Sequence, residues 1–109
     1  MIKGIGVDIV DLRRIAKHKD SLAKKILSVK EYTVYSNFTS SVRQIEYLGG
    51  RFAAKEAIFK AVSPSISFHD IEILNDTNGR PSVNLHDIHI SLSHEKNYAV
   101  AYVIYEDSR

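Results

Sequence analysis

The sequence predicts an α+β fold: one N-terminal strand, short helices and one long helix packed on an antiparallel sheet. Three observations lead there. The first ten residues alternate in polarity, residues 41–62 keep helical spacing, and the chain from Phe68 onward breaks into short strand-like runs divided by turn signals.

Met1 to Val10 reads as a strand, with Ile5, Val7 and Ile9 on one face and Gly4, Gly6 and Asp8 on the other. Asp11 suits the N-cap of a short basic helix beginning at Leu12. Ser21 to Leu27 and Ser28 to Tyr35 read as two more short helices, Ser28 and Glu31 matching a capping box. Asn37 to Ser40 is expected to be a loop. From Ser41 to Val62, Ile45, Leu48, Phe52, Phe59 and Val62 recur at helical spacing, with Glu56 in line between the two phenylalanines. Ser63-Pro64-Ser65 stops that helix. Strands are expected at Phe68 to Leu74, Ser82 to Leu85, Ile88 to His94 and Tyr98 to Tyr105. The segment Asn75-Asp76-Thr77-Asn78-Gly79 makes one turn, and Glu95-Lys96-Asn97 a short hairpin loop.

Composition narrows the class. A chain of 109 residues suits a single domain spanning 1–109, and 44% hydrophobic with 26% charged residues is ordinary for a soluble globular protein. No apolar run approaches the roughly 18 residues that cross a bilayer, and the N-terminus lacks the pattern of a secretory signal. With no cysteine there is no disulfide framework and no thiolate chemistry, which fits a cytoplasmic setting. The net charge of +2 is unevenly spread: residues 1–62 hold 12 Lys/Arg against 6 Asp/Glu, and residues 63–109 hold 3 against 7. The basic excess gathers between Arg13 and Lys30, a patch that would draw in an acidic partner or form a solvated helical face.

Three features do not suit packing alone. Asp8 sits in the apolar opening strand, where Gly4 and Gly6 leave room for a ligand or another backbone, although it could simply cap the next helix. Gly49 and Gly50 lie inside the long helix at about 1 kcal/mol each relative to alanine, so close approach by a ligand or another chain is expected there. On the same helix Glu56 interrupts the apolar stripe, one turn before Lys60 and at the spacing of a surface Glu–Lys pair. His94 ends a strand whose inward face reads Ile88, Ile90, Leu92, where a histidine is more often structural than catalytic. His18, His69, His86 and His89 show no metal-ligand spacing and read as surface or loop residues. A hard cation such as magnesium takes carboxylates, phosphate oxygens and water. Asp8 and Glu56 could supply such a pair, with Lys60 meeting the same phosphates, an arrangement suited to phosphoryl transfer.

Taken together these segments resemble the bacterial holo-acyl-carrier-protein synthase family of 4′-phosphopantetheinyl transferases. The opening Gly4-Ile5-Gly6-Val7-Asp8-Ile9-Val10 with Arg13-Arg14-Ile15 looks like that family's first motif. Gly50-Arg51-Phe52-Ala53-Ala54-Lys55-Glu56-Ala57 with Phe59-Lys60-Ala61 resembles its second, and Ser91-Leu92-Ser93-His94 its third. Order and spacing agree from Ile2 to about Val103. The resemblance implies a homotrimer with active sites between subunits, coenzyme A and apo-acyl carrier protein as substrates, and magnesium as cofactor. It implies Asp8 and Glu56 as metal ligands and, with Lys60, as the catalytic set; Arg51, Lys60, Pro81 and His94 would bind coenzyme A. Arg13, Arg14, Lys17 and Lys24 would then meet the acidic helix of the carrier protein. It also implies attack by the carrier serine on the β-phosphorus, releasing 3′,5′-ADP.

Two places depart from the family pattern. Ser63-Pro64-Ser65-Ile66-Ser67 is shorter than the family's glycine-rich loop and has no glycine, and Glu95 follows His94 where relatives often carry threonine. Glu95 could orient the histidine or repel a phosphate. Competing readings are a small basic nucleic-acid-binding module, a metal-dependent phosphohydrolase using Asp8 and Glu56, and an inactive trimer. The net-acidic strand region, without an RNA-binding signature, argues against the first.

Overall fold

The computed structural model describes residues 1–107. In chain order it contains β1 (Ile2–Asp11), α1 (Leu12–Lys17), α2 (Lys19–Ile26), α3 (Val29–Asn37) and α4 (Ser41–Ala61). A 3-10 turn (Phe68–Asp70) follows, then β2 (Ile73–Asn75), β3 (Pro81–Val83), β4 (Ile88–His94) and β5 (Tyr98–Glu106). The α+β expectation holds. An antiparallel sheet in the order β1-β5-β4 carries α4 across one face, and β2 and β3 form a separate antiparallel ribbon.

Local chemistry sets the helix starts. Asp11 accepts the amide of Arg13 at 2.9 Å and opens α1. At α3 the capping box closes in both directions: Ser28 Oγ accepts the Glu31 amide, and Glu31 Oε1 accepts the Ser28 amide. The long helix begins at Ser40, whose hydroxyl accepts the Arg43 amide. It ends where Ser63 turns into the left-handed region at φ 53°, a conformation glycine adopts more readily.

Two faces of the sheet have opposite fates. Ala99, Ala101 and Val103 on β5 are buried beneath α4, with Ile88, Ile90 and Leu92 of β4 packed against the same core. Gly4 and Gly6 share that side, and a Cβ on either would run into the carbonyl oxygen of Ala61 or Ala57. The room left by the two glycines is therefore taken by the backbone of α4. On the other face Ile5, Val7, Ile9 and Tyr102 are 58%, 49%, 65% and 46% exposed.

The strand expected from Phe68 to Leu74 is not continuous. Phe68–Asp70 forms a 3-10 turn, and only Ile73–Asn75 pairs with β3. The turn aims the Phe68 carbonyl at the buried ammonium of Lys55, 2.8 Å away. Lys55 also donates to the Ile26 carbonyl at 2.7 Å and to Glu31 Oε1 at 2.6 Å, so its three N–H groups are all used. Glu31 Oε2 accepts the Ile73 amide at 2.8 Å. Both side chains are fully buried. Burial holds the Lys55 ammonium below the usual lysine range, and Glu31 opposes that shift.

Glu31→Gln leaves the Lys55 ammonium buried without its counter-charge. We expect a loss of about 3–5 kcal/mol in unfolding free energy, read from urea denaturation. The double variant Glu31→Gln/Lys55→Met should recover part of it. A single-variant loss below about 1 kcal/mol would mean the pair behaves as if it were solvent-exposed.

Candidate active site

Gly4 and Gly6 bring β1 against α4, and Asp8 follows them on the same side of the strand. Asp8 and Glu56 thereby come to line one cleft of about 590 Å³, together with Arg14, Lys17, His18 and Phe52. The expected Glu56–Lys60 surface pair is not made. Lys60 reaches across to β1 instead, its ammonium donating to the Val7 carbonyl at 2.9 Å and to Asp8 Oδ1 at 3.1 Å.

Among the described residues no group of three or more His, Cys, Asp or Glu could hold a metal ion. Two carboxylates lining one open cleft do fit a hard cation that fills its remaining positions with water and phosphate oxygens. The cleft's Asp8, Asp11, His18 and Glu56 do not converge into the three-donor set that a tetrahedral catalytic site takes.

A second groove, of about 360 Å³, is lined by Arg51, Pro81 and His94, three of the four residues that the family resemblance assigns to coenzyme A; the fourth, Lys60, is not among its lining residues. Arg51 is buried; its Nε donates to the Ile73 carbonyl and its Nη2 to Asn75 Oδ1, and its guanidinium lies 4.4 Å from the centre of the Tyr47 ring. Burial pushes the Tyr47 phenol up to about 12, and its hydroxyl has no hydrogen-bond partner among the described residues. α4 lends a wall to both cavities. A third, smaller hollow of about 290 Å³ is lined by Ile9, which also lines the cleft, and His94, which also lines the groove.

The paired glycines separate in role. A Cβ on Gly49 would collide with Leu12 Cδ2, so the close approach comes from α1 of the same chain, not from a ligand or another chain. Gly50 meets nothing within 4 Å and faces the groove.

The basic patch divides as well. Arg14 and Lys17 stand on the cleft wall. Arg13 is held by its own helix cap, with Nε and Nη2 each 2.9 Å from an Asp11 oxygen and Nη2 3.1 Å from the Tyr98 hydroxyl. The Arg13 side-chain hydrogen bond holds the Asp11 carboxyl below its usual range. Lys24 lines a different hollow, with Tyr32, Thr33 and His69. Sequence reasoning passed over His18, which lines the cleft, and Glu46, which lines the groove. Glu46 stands one helical turn before Gly50, and that spacing was the available signal.

A family model described as the 4′-phosphopantetheinyl transferase superfamily matches residues 4–103. The chain belongs to that superfamily. Two similar proteins are the holo-[acyl-carrier-protein] synthases of Halalkalibacterium halodurans and of a Geobacillus species. The first is 47% identical, covering 97% of each chain; the second is 46% identical, covering 97% of this chain and 98% of the relative. Among solved structures, the holo-(acyl-carrier-protein) synthase of Bacillus anthracis, in complex with CoA (3′,5′-ADP), superposes with a TM-score of 0.91 at 43% identity, covering 99% of each chain. Both cavities of the transferase lie within the matched span.

Gly50→Ala should leave the transferase as stable as before or up to about 1 kcal/mol more stable, since alanine is the better helix former. Gly49→Ala should lower stability, because Leu12 must move. Thermal melts of the two variants test the contrast, and equal effects would contradict the assignment of the two faces.

Proposed function

We propose that the cleft and the groove form one phosphopantetheinyl-transfer site, within a single domain spanning residues 1–109. The transferase moves 4′-phosphopantetheine from coenzyme A to a serine of apo-acyl carrier protein. The bond from the β-phosphorus to its bridging oxygen breaks, a bond from serine oxygen to that phosphorus forms, and 3′,5′-ADP leaves. The observation that carries this reading is the convergence of Asp8 and Glu56 in one cleft, with Lys60 hydrogen-bonded to Asp8.

The groove of Arg51, Pro81 and His94 would seat the nucleotide end of coenzyme A. Arg51 is pre-aligned by Ile73, Asn75 and Tyr47, so little side-chain freedom is lost on binding. When bound, magnesium held by Asp8 and Glu56 supplies positive charge beside the diphosphate. Lys60 spends two N–H groups on Val7 and Asp8, and its third would meet a phosphate oxygen as charge develops there. The cleft offers the Asp8 and Glu56 carboxylates and the His18 imidazole as proton acceptors for the serine hydroxyl. Arg14 and Lys17, at the same cleft, would receive the acidic carrier; Arg13 is engaged by Asp11, and Lys24 would act only at the periphery.

The unpartnered apolar face of Ile5, Val7, Ile9 and Tyr102 supports assembly with further copies, and the homotrimer belongs to this reading. So does a cytoplasmic setting; no described helix is long and apolar enough to cross a membrane.

Intact-mass spectrometry of an apo-carrier protein incubated with coenzyme A and magnesium should show a gain of one phosphopantetheine. Chelator or Glu56→Ala should abolish it. Coenzyme A cleaved with the carrier unmodified would favour a hydrolase, and no reaction with several carriers would favour an inactive assembly. Arg14→Glu should raise the KM for carrier about tenfold or more while leaving the KM for coenzyme A within about twofold. A loss confined to coenzyme A would place Arg14 elsewhere in the mechanism.

A further inference from the structure

Seven basic residues run from Arg13 to Lys30, and they do not all face outward. Lys19 is turned toward the protein. Its side chain is 24% exposed, its ammonium donates to Gln44 Oε1 at 2.8 Å, and that ammonium lies 5.9 Å from the centre of the Tyr35 ring. The residues it meets are themselves tied together, because Gln44 Nε2 donates to the Tyr35 carbonyl at 3.2 Å. Tyr35, buried near the end of α3, donates its hydroxyl to Asp20 Oδ1 at 2.9 Å. The first two side chains of α2 thus both close on Tyr35, and Gln44 joins the set to the first turn of α4.

The corner just before this anchor carries part of the cleft wall. Lys17 ends α1 and His18 is the single residue between α1 and α2; both are exposed, and both line the cleft with Arg14. α1 has six residues and α2 has eight, too few for either to hold a direction by its own backbone hydrogen bonds. Leu12 and Ile15 bury α1, and Ala23 and Ile26 bury the later part of α2. From Ala16 to Ser21 the chain buries no apolar side chain. Over that stretch Lys19 supplies the side-chain tie to α4.

We propose that Lys19 is a positioning residue for the carrier protein: anchored to Gln44 and Tyr35, it fixes the corner between α1 and α2 so that Arg14, Lys17 and His18 stand on the cleft wall. The inference rests on the cleft receiving the acidic carrier. Lys17, His18 and Lys19 are consecutive, so anchoring the third toward the protein sets where the first two point. A wall held in place before the carrier arrives loses less freedom on binding. Lys19 is then not one of the charges that meet the carrier. Gln44, which bears no charge, acts on carrier binding through it.

The test is steady-state kinetics of Lys19→Met, Gln44→Leu and the double variant, with carrier protein and coenzyme A varied separately and Arg14→Glu as the reference. Each single variant should raise the KM for carrier about threefold to fivefold, less than Arg14→Glu does, with the KM for coenzyme A within about twofold. The double variant should be no worse than the more affected single one, since the two side chains form one contact. A residue serving stability alone would lower the melting temperature and the active fraction and leave both KM values in place; that result would overturn the proposal. So would a rise in the coenzyme A KM instead, or an effect of Lys19→Met with Gln44→Leu silent, the mark of a charge that meets the carrier directly. If Lys19→Met does not fold, Gln44→Leu carries the same test. These outcomes leave the transferase reading intact. An unaltered carrier KM in Arg14→Glu would instead remove the cleft as the carrier site, and the proposal with it.

Discussion

The buried contact between Lys55 and Glu31 is the constraint on which the rest of the arrangement depends. One ammonium and one carboxylate, both without solvent contact, gather the end of α2, the start of α3, the 3-10 turn and the edge of β2 onto the middle of α4. Neither charge could stay in the interior without the other. Their satisfaction also fixes the rotation of α4 about its axis. Successive residues of a helix turn by about 100°, so once Lys55 points to Glu31, its neighbour Glu56 must point elsewhere, and it points into the cleft. Arg51, one turn earlier on the Lys55 side, reaches the Ile73 carbonyl and Asn75 on β2. A structural ion pair thus orients residues that have no part in it.

Much of this was legible in the sequence where the chemistry is local. The Ser28–Glu31 capping box, the Asp11 cap, the span of the long helix and the β4–β5 hairpin follow from spacing and turn residues alone. The chemistry of Asp8, Glu56 and Lys60 suggested one phosphate-and-cation set, but only the family pattern tied residue 8 to residue 56, since no local rule brings them together. What stayed hidden was non-local. Glu31 looked complete as a capping residue, and nothing in its neighbourhood shows that a lysine 24 positions later arrives at 2.6 Å. Phe68–Asp70 falls in a run that reads as a strand and instead forms a 3-10 turn whose first carbonyl accepts a hydrogen bond from Lys55. Lys60 had an acceptable partner one turn away and took Asp8 instead, because Gly4 and Gly6 let β1 lie against the helix.

The long helix is therefore a divider with different chemistry on each side. Its central residues Phe52 and Glu56 look onto the cleft shared with Asp8 and Arg14, and its earlier turns, at Glu46 and Gly50, onto the groove where arginines and a histidine gather. The missing side chain at Gly50 keeps the groove wall low at the point where the helix would otherwise crowd it.

The order of strands has a consequence for how the molecule is made. β5 is the central strand of the sheet and the last in sequence, with Ile2 paired to Glu106 at one end and Asp11 to Tyr98 at the other. Until that strand has been synthesised, β1 has no edge to join, and its glycine-rich side has no sheet to hold it against α4. At roughly 5–20 residues per second of translation, β1 waits several seconds for its partner. Throughout that interval Ile5, Val7 and Ile9 sit on a nascent chain that cannot yet bury its neighbours. The contacts that hold β1 against α4 from the sheet side thus wait on β5, which follows the segments of all four helices in the chain.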